Sequence, residues 1–179
     1  MSALKQIKYG CFAYLQESEA INKVIIDGFN QYEADPLTHK SHFFEGRYEN
    51  VYIKREKIPE LQRVIEQAIL YVAEILDVAA DSLQCGFWFN AMQDGDVTIA
   101  HTHDDDDELM SGVYYVEVAE NSGQLLLGVC PNQVVVEPEA GKMVFFRPNI
   151  IHEVSKNCSG RQRLSIGMNF GLKSEFKSE

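Results

Sequence analysis

Three histidines carry the first chemical signal in this chain: His101 and His103, separated by Thr102, and His152 much further along. Imidazoles at i and i+2 of an extended segment share a face, because strand side chains alternate with a period of two residues. A third imidazole from a distant strand then completes a three-cornered grip on one metal ion. The chain has five histidines, so most of them fall in this arrangement. Arg163 follows His152 closely, where a guanidinium can hold an acidic cosubstrate beside the metal. Nitrogen ligands on one side of an ion, with its other positions open, are the pattern of a non-haem iron centre that handles oxygen.

Such a site needs strands to position it, and from Asp81 onward the sequence reads as strand after strand. The segments are Gln84–Met92, Val97–His103, Leu109–Val118, Gln124–Val129, Gln133–Glu137, Lys142–Arg147, His152–Val154 and Gln162–Phe170. Turn signals separate them, among them Asp94-Gly95-Asp96, Asn121-Ser122-Gly123 and Glu139-Ala140-Gly141. About eight short, evenly spaced strands predict a double-stranded β-helix, that is, a jelly roll or related antiparallel barrel. His101 and His103 then end the second strand of this series, His152 opens the seventh, and Arg163 lies in the eighth.

The first 80 residues read differently. Residues Gln6 to Leu15 form one short strand. Residues Glu19 to Tyr32 put Ile21, Val24, Ile25, Phe29 and Tyr32 on one helical face, with Ser18 as N-cap. A second helix from about Pro59 to Leu76 has a wide apolar stripe that includes Leu61, Val64, Ile65, Ala68, Ile69, Val72 and Ile75. Both helices are expected to pack on the outer side of one sheet. Between them Asp35–Lys57 is polar, aromatic and irregular, and reads either as a lid over the metal or as a packed crossing between helices. The whole chain reads as one mainly β domain over 1–179. Residues 1–80 form a helical support with a candidate lid, and 81–171 form a jelly-roll catalytic core.

Composition narrows the function classes. At 179 residues with 45% hydrophobic and 11% aromatic side chains, the chain is long enough for a real core. Its formal charge of −11 argues against non-specific binding to nucleic-acid phosphates. No apolar stretch approaches transmembrane length, so a soluble, cytoplasmic protein without membrane contact is expected. A homodimer is compatible with the composition. Cys11, Cys85, Cys130 and Cys158 are scattered without a CxxC and read as buried or half-buried free thiols.

Several short motifs in the C-terminal half occur in a telling order. They are Trp88-Phe89-Asn90, His101-Thr102-His103, Ser111-Gly112-Val113-Tyr114-Tyr115, Gly123-Gln124-Leu125, Gly141 through Pro148, His152-Glu153-Val154 and Arg163 through Phe170. In this order the region from Phe87 to Phe170 resembles the 2-oxoglutarate- and Fe(II)-dependent oxygenases. The resemblance implies Fe(II), 2-oxoglutarate and dioxygen as cofactor and cosubstrates, and hydroxylation of a C–H bond. It places Arg163 on the distal carboxylate of 2-oxoglutarate, with Ser165 as a second donor and Asn90 and Tyr115 as further contacts. A planar guanidinium suits that carboxylate better than an ammonium. Arg161 shares the face of Arg163 by alternation and reads equally as a supporting or a surface charge. For the two tyrosines, the plain structural expectation is one in the core and one facing out. The primary substrate, peptide or metabolite, is not legible.

One departure concerns the metal ligands. The wider superfamily pairs two histidines with one carboxylate in His-x-Asp/Glu followed by a distal His. Two registers fit this chain: His101, His103 and His152 as an all-imidazole set, or His103 with Asp105 as the carboxylate and His152 as the distal ligand. Related hydroxylases place a glycine six positions before the first ligand, and Gly95 stands there relative to His101, which favours the first. Asp104–Asp107 then form an acidic loop beside the metal, or simply a solvated turn. Two rival functions remain open. One is a cupin-type iron dioxygenase with three histidines and no 2-oxoglutarate, and the other is a non-catalytic jelly-roll binding module.

Overall fold

The computed structural model describes residues 2–103 and 108–173. In chain order the elements are β1 (Lys5–Ile7), β2 (Gly10–Tyr14), α1 (Ser18–Tyr32), β3 (His39–Phe44), β4 (Arg47–Tyr52), α2 (Leu61–Leu76), β5 (Leu83–Met92), β6 (Thr98–His101), β7 (Met110–Glu117), β8 (Leu125–Leu127), β9 (Val134–Val136), β10 (Lys142–Phe146), β11 (His152–Val154) and β12 (Arg163–Leu172). They form a large sheet, ordered β1-β2-β10-β7-β12-β5-β4-β3, and a small one, β6-β11-β8-β9. The pairings are antiparallel throughout, as a jelly roll requires.

Period-two alternation in the central strands divides the interior into two cores. One face of β12 sends Leu164, Ile166, Met168 and Phe170 toward the helices, together with Phe89 from β5 and Tyr114 from β7. There they meet Ile21, Ile25 and Phe29 of α1 and Leu61, Val64, Ile65, Ala68 and Val72 of α2. The Phe29 and Phe89 rings lie 5.1 Å apart. The other face joins the small sheet, where Tyr115, Val144 and Phe146 pack with Leu125, Leu127 and Val136.

Four expectations for the N-terminal part are corrected. The predicted single strand is a hairpin, because Tyr9 turns the chain at a φ of +75° between β1 and β2. Helix α1 begins at Ser18 itself, so Ser18 is not its N-cap, and the preceding Glu17 makes no side-chain cap. Val24 is 41% exposed, since the helix seats on the sheet through the face that carries Ile21, Ile25 and Phe29. Finally, Asp35–Lys57 is not irregular: most of it is the β3–β4 hairpin, added to the edge of the large sheet beside β5. Glu45 and Gly46 form its turn with φ of +45° and +87°, the paired positive angles of a tight hairpin turn, which Gly46 allows at no steric cost.

Both tyrosines of the Ser-Gly-Val-Tyr-Tyr strand are fully buried, so neither faces out. Tyr114 points to the helices, where its hydroxyl donates to Asn22 Oδ1 at 2.6 Å. Asn22 is buried as well. We therefore expect Tyr114→Phe to lose about 1–3 kcal/mol of stability by orphaning that oxygen. Urea denaturation checks this, and an unchanged midpoint would show that solvent reaches Asn22.

Candidate active site

Three adjacent strands of the large sheet, β5, β12 and β7, pave one side of a cavity of about 500 Å³ between the sheets. Their register arranges the inward side chains in rows. Arg163 is paired with Met92; the next row is Asn90, Ser165 and Tyr115; the third is Trp88, Gly167 and Val113; the outermost pairs Asn169 with Ser111. From Arg163 to Asn169 the chain runs six residues, or ~20 Å at ~3.3 Å per strand residue.

The small sheet supplies the imidazoles. Pairing of β6 with β11 sets His101 directly opposite His152, and their rings lie 4.3 Å apart. His103 stands just beyond the end of β6, where its backbone N–H donates to the Pro148 carbonyl at 3.0 Å. Its ring is 5.0 Å from His101 and 5.1 Å from His152. One nitrogen from each of the three residues falls within 4.8 Å of the others.

Hydrogen bonds select which nitrogen is available. His101 Nδ1 lies 2.8 Å from the Ile99 carbonyl, and His152 Nδ1 lies 3.0 Å from that of Ile150. A carbonyl can only accept, so each Nδ1 carries the hydrogen and each Nε2 keeps its lone pair. Burial pulls the His152 pKa down to about 3; the Ile150 carbonyl opposes this, and His101 and His103 add to it. His152 is thus a neutral donor. Imidazoles whose other nitrogen is fixed by a backbone carbonyl make a set that suits a divalent transition-metal ion.

Arg163 lies at the far end of the cavity and is only 2% exposed. Among the described residues it forms no salt bridge with a carboxylate. Its Nη1 meets the Met92 sulfur at 3.1 Å, and its Nε has no partner. The guanidinium carbon sits 5.2 Å from the centre of the Tyr115 ring. Burial lowers the Arg163 pKa, with Arg47 adding to the effect, and burial raises that of Tyr115 against the pull of Arg163. The two attract electrostatically, yet the Tyr115 hydroxyl is buried and not aligned with a hydrogen-bond partner. Nearby, buried Ser165 reaches the Asn90 carbonyl only at 3.5 Å, and the buried Thr98 hydroxyl has no partner. This end of the cavity offers a positive charge and, among the described residues, hydroxyls of Tyr115 and Thr98 without hydrogen-bond partners.

The structure thus brings His101, His103, His152, Arg163, Ser165, Asn90 and Tyr115 to one cavity. Arg161 is outside it: its side chain is 70% exposed and lies 3.8 Å from Glu117. Asp105, the alternative ligand, and its neighbours at 104–107 lie outside the described residues. His39 and His42 are not in the imidazole group, and the four cysteines are free, with Cys130 and Cys158 exposed rather than buried.

From the stretch read as a lid or a packed crossing, His42, Glu49, Asn50 and Tyr52 of the β3–β4 hairpin border the cavity. Arg47 ties that hairpin down, donating to Glu49 at 3.1 Å, Asp96 at 3.2 Å and the Val97 carbonyl at 3.0 Å. Ser111 and Asn169 were available by alternation, being even-numbered steps from Tyr115 and Arg163. Gly167 has a steric task, since a Cβ there would lie 2.4 Å from the Trp88 indole, itself beside His103 with ring centres 5.8 Å apart. We expect Gly167→Ala to displace that indole. Trp88 is the one tryptophan in the chain, so a shifted emission maximum reports the change directly, and an unchanged spectrum would refute it.

The fold is a jelly roll, similar to that of solved structures described as prolyl hydroxylases and 2-oxoglutarate–Fe(II) oxygenases. No protein-family profile matches the sequence, and no curated protein matches it. Solved structures do. A prolyl-4-hydroxylase from Pseudomonas putida superposes with a TM-score of 0.73 at 18% identity, covering 91% of this chain and 92% of that one. A Trichoplax adhaerens prolyl hydroxylase, solved with a peptide fragment of the hypoxia-inducible-factor oxygen degradation domain, gives 0.69 at 12% identity, covering 92% and 84%. EvdO2 from Micromonospora carbonacea var. aurantiaca, complexed with 2-oxoglutarate, gives 0.62 at 13% identity, covering 100% and 96%. Among the described residues, no helix is long and apolar enough to cross a membrane.

Proposed function

We propose that this protein is an Fe(II)- and 2-oxoglutarate-dependent dioxygenase that hydroxylates a C–H bond. The observation that carries the reading is Arg163. A guanidinium buried without a carboxylate costs several kcal/mol, so it is retained where an anion completes it. The Tyr115 and Thr98 hydroxyls, without hydrogen-bond partners among the described residues, and the weakly bonded Ser165 hydroxyl suit the same carboxylate. His101, His103 and His152 would hold Fe(II), and when bound the iron supplies chelation of the cosubstrate and activation of dioxygen. The net reaction releases carbon dioxide and divides dioxygen between succinate and a hydroxyl group on the substrate. The protein's own residues orient the partners: Arg163 fixes one end of the cosubstrate, and the Ile99 and Ile150 carbonyls hold two of the imidazoles in their ligating tautomer. The Arg47-anchored hairpin and Trp88 limit access of water from the open side.

The test is thermal. With Mn(II) and 2-oxoglutarate each near 100 times its dissociation constant, one bound ligand adds about 2.7 kcal/mol. For a domain of this size that corresponds to a rise of about 5–10 °C in Tm. Succinate should also form from 2-oxoglutarate in the presence of Fe(II) and ascorbate. No shift with Mn(II) and 2-oxoglutarate together would sink the proposal. The three-imidazole set also suits a dioxygenase that uses no 2-oxoglutarate, and stabilisation by Mn(II) alone, with none added by the cosubstrate, would favour that reading.

A further inference from the structure

The cavity is polarised, and its second end has no task in holding either the metal or the cosubstrate. Rows of the large sheet run from Arg163 past the imidazoles, which approach at Trp88, to Asn169 and Ser111. Asn169 Nδ2 donates to Glu108 Oε1, and since a carboxylate can only accept, the orientation of this amide is determined. Its Oδ1 is therefore turned away from Glu108. That oxygen is buried and, among the described residues, has no hydrogen-bond partner. Ser111, its cross-strand neighbour, is 2% exposed, and its Oγ has no partner among the described residues either. Directly opposite residues on one sheet face have Cβ atoms ~5 Å apart, which puts both side chains within reach of one small donor group. Both residues line the cavity, as do Glu108 and Trp88.

The geometry points to a substrate-positioning subsite for a protonated amine, formed by Asn169 Oδ1 and Ser111 Oγ beside the Glu108 carboxylate. Buried acceptors without partners are the groups that a donor ligand satisfies. Three features favour an ammonium over a neutral donor. Glu108 lies directly behind the amide, the chain as a whole carries a formal charge of −11, and Trp88 presents an aromatic ring at the next row. The opposite, cationic end at Arg163 takes a carboxylate, so the two ends sort their ligands by charge. This inference rests on the proposed function insofar as the amine belongs to the molecule whose C–H bond reacts; the subsite itself needs neither metal nor cosubstrate.

The experiment uses the full-length protein, ¹⁵N-labelled and free of metal, titrated with n-butylammonium chloride at constant ionic strength. Signals followed are the Trp88 indole N–H and the Asn169 side-chain amide, the latter assigned by its loss in Asn169→Leu. Butylammonium should shift both with a saturable millimolar curve, whereas 1-butanol, N-methylacetamide and butyrate should bind at least five-fold more weakly. Ser111→Ala should weaken butylammonium binding at least five-fold, and Asn169→Leu should remove the saturable shift of Trp88. The same melting-temperature rise with Mn(II) and 2-oxoglutarate in both variants as in the parent shows that the site is otherwise intact. Equal binding of the neutral probes, or unchanged ammonium binding in the two variants, overturns the assignment. Saturable ammonium binding without any response to 2-oxoglutarate would overturn the proposed function and leave the subsite standing.

Discussion

Arg163→Met is expected to abolish the 2-oxoglutarate-dependent rise in Tm while leaving the metal-free protein at least as stable as the parent. The two halves of this result have one cause. Arg163 is buried and has no carboxylate partner among the described residues, so in the unliganded fold its charge is a cost. Replacing buried charge with an apolar side chain of similar length is often neutral or stabilising. Met also packs well in irregular space, and it would stand beside Met92. With the cosubstrate present, the balance reverses. Removing one partner of a buried hydrogen-bonded charge pair costs about 2–5 kcal/mol, or ~30- to ~5,000-fold in affinity. Mn(II) alone should still stabilise the variant, because the imidazoles are untouched. If 2-oxoglutarate protects Arg163→Met as it does the parent, the carboxylate lies elsewhere and the assignment of this end of the cavity fails.

The second large effect is at the metal. His152 stands opposite His101 in the register of β11 and β6, is buried, and is held neutral with Nε2 free. Altering a residue that merely orients a ligand already reduces metal affinity about 10–100-fold. His152→Ala deletes a proposed ligand itself, so a loss beyond ~100-fold in Mn(II) affinity is expected, with loss of succinate formation. Circular dichroism should show the sheet intact, since β11 is also paired with β8. His103→Ala distinguishes the two registers proposed from the sequence. Retained metal binding in that variant, combined with its loss in Asp105→Ala, would overturn the all-imidazole set.

Much of the scaffold was legible because alternation is a local property. Every strand expected after Asp81 is present, and the i, i+2 spacing of His101 and His103 and the odd-numbered face of β12 could be read without coordinates. The hairpin at residues 39–52 was not, since an edge ribbon with a wet face lacks the apolar alternation that marks a half-buried strand. The two helices were legible as elements, but the exposure of Val24 depends on how α1 lies on the sheet, which no periodicity specifies.

By itself, then, the order of residues determined which side chains share a strand face, that the fold is mainly β, and which imidazoles and guanidinium are the candidates for chemistry. Tertiary structure alone decided that His101 faces His152, that Arg163 has no carboxylate partner among the described residues, and that Asn169 Oδ1 and Ser111 Oγ are buried without a hydrogen-bond partner there. The reason is physical: facing within a strand follows from a two-residue repeat, whereas pairing between distant strands and the satisfaction of buried polar atoms depend on the whole chain closing around them.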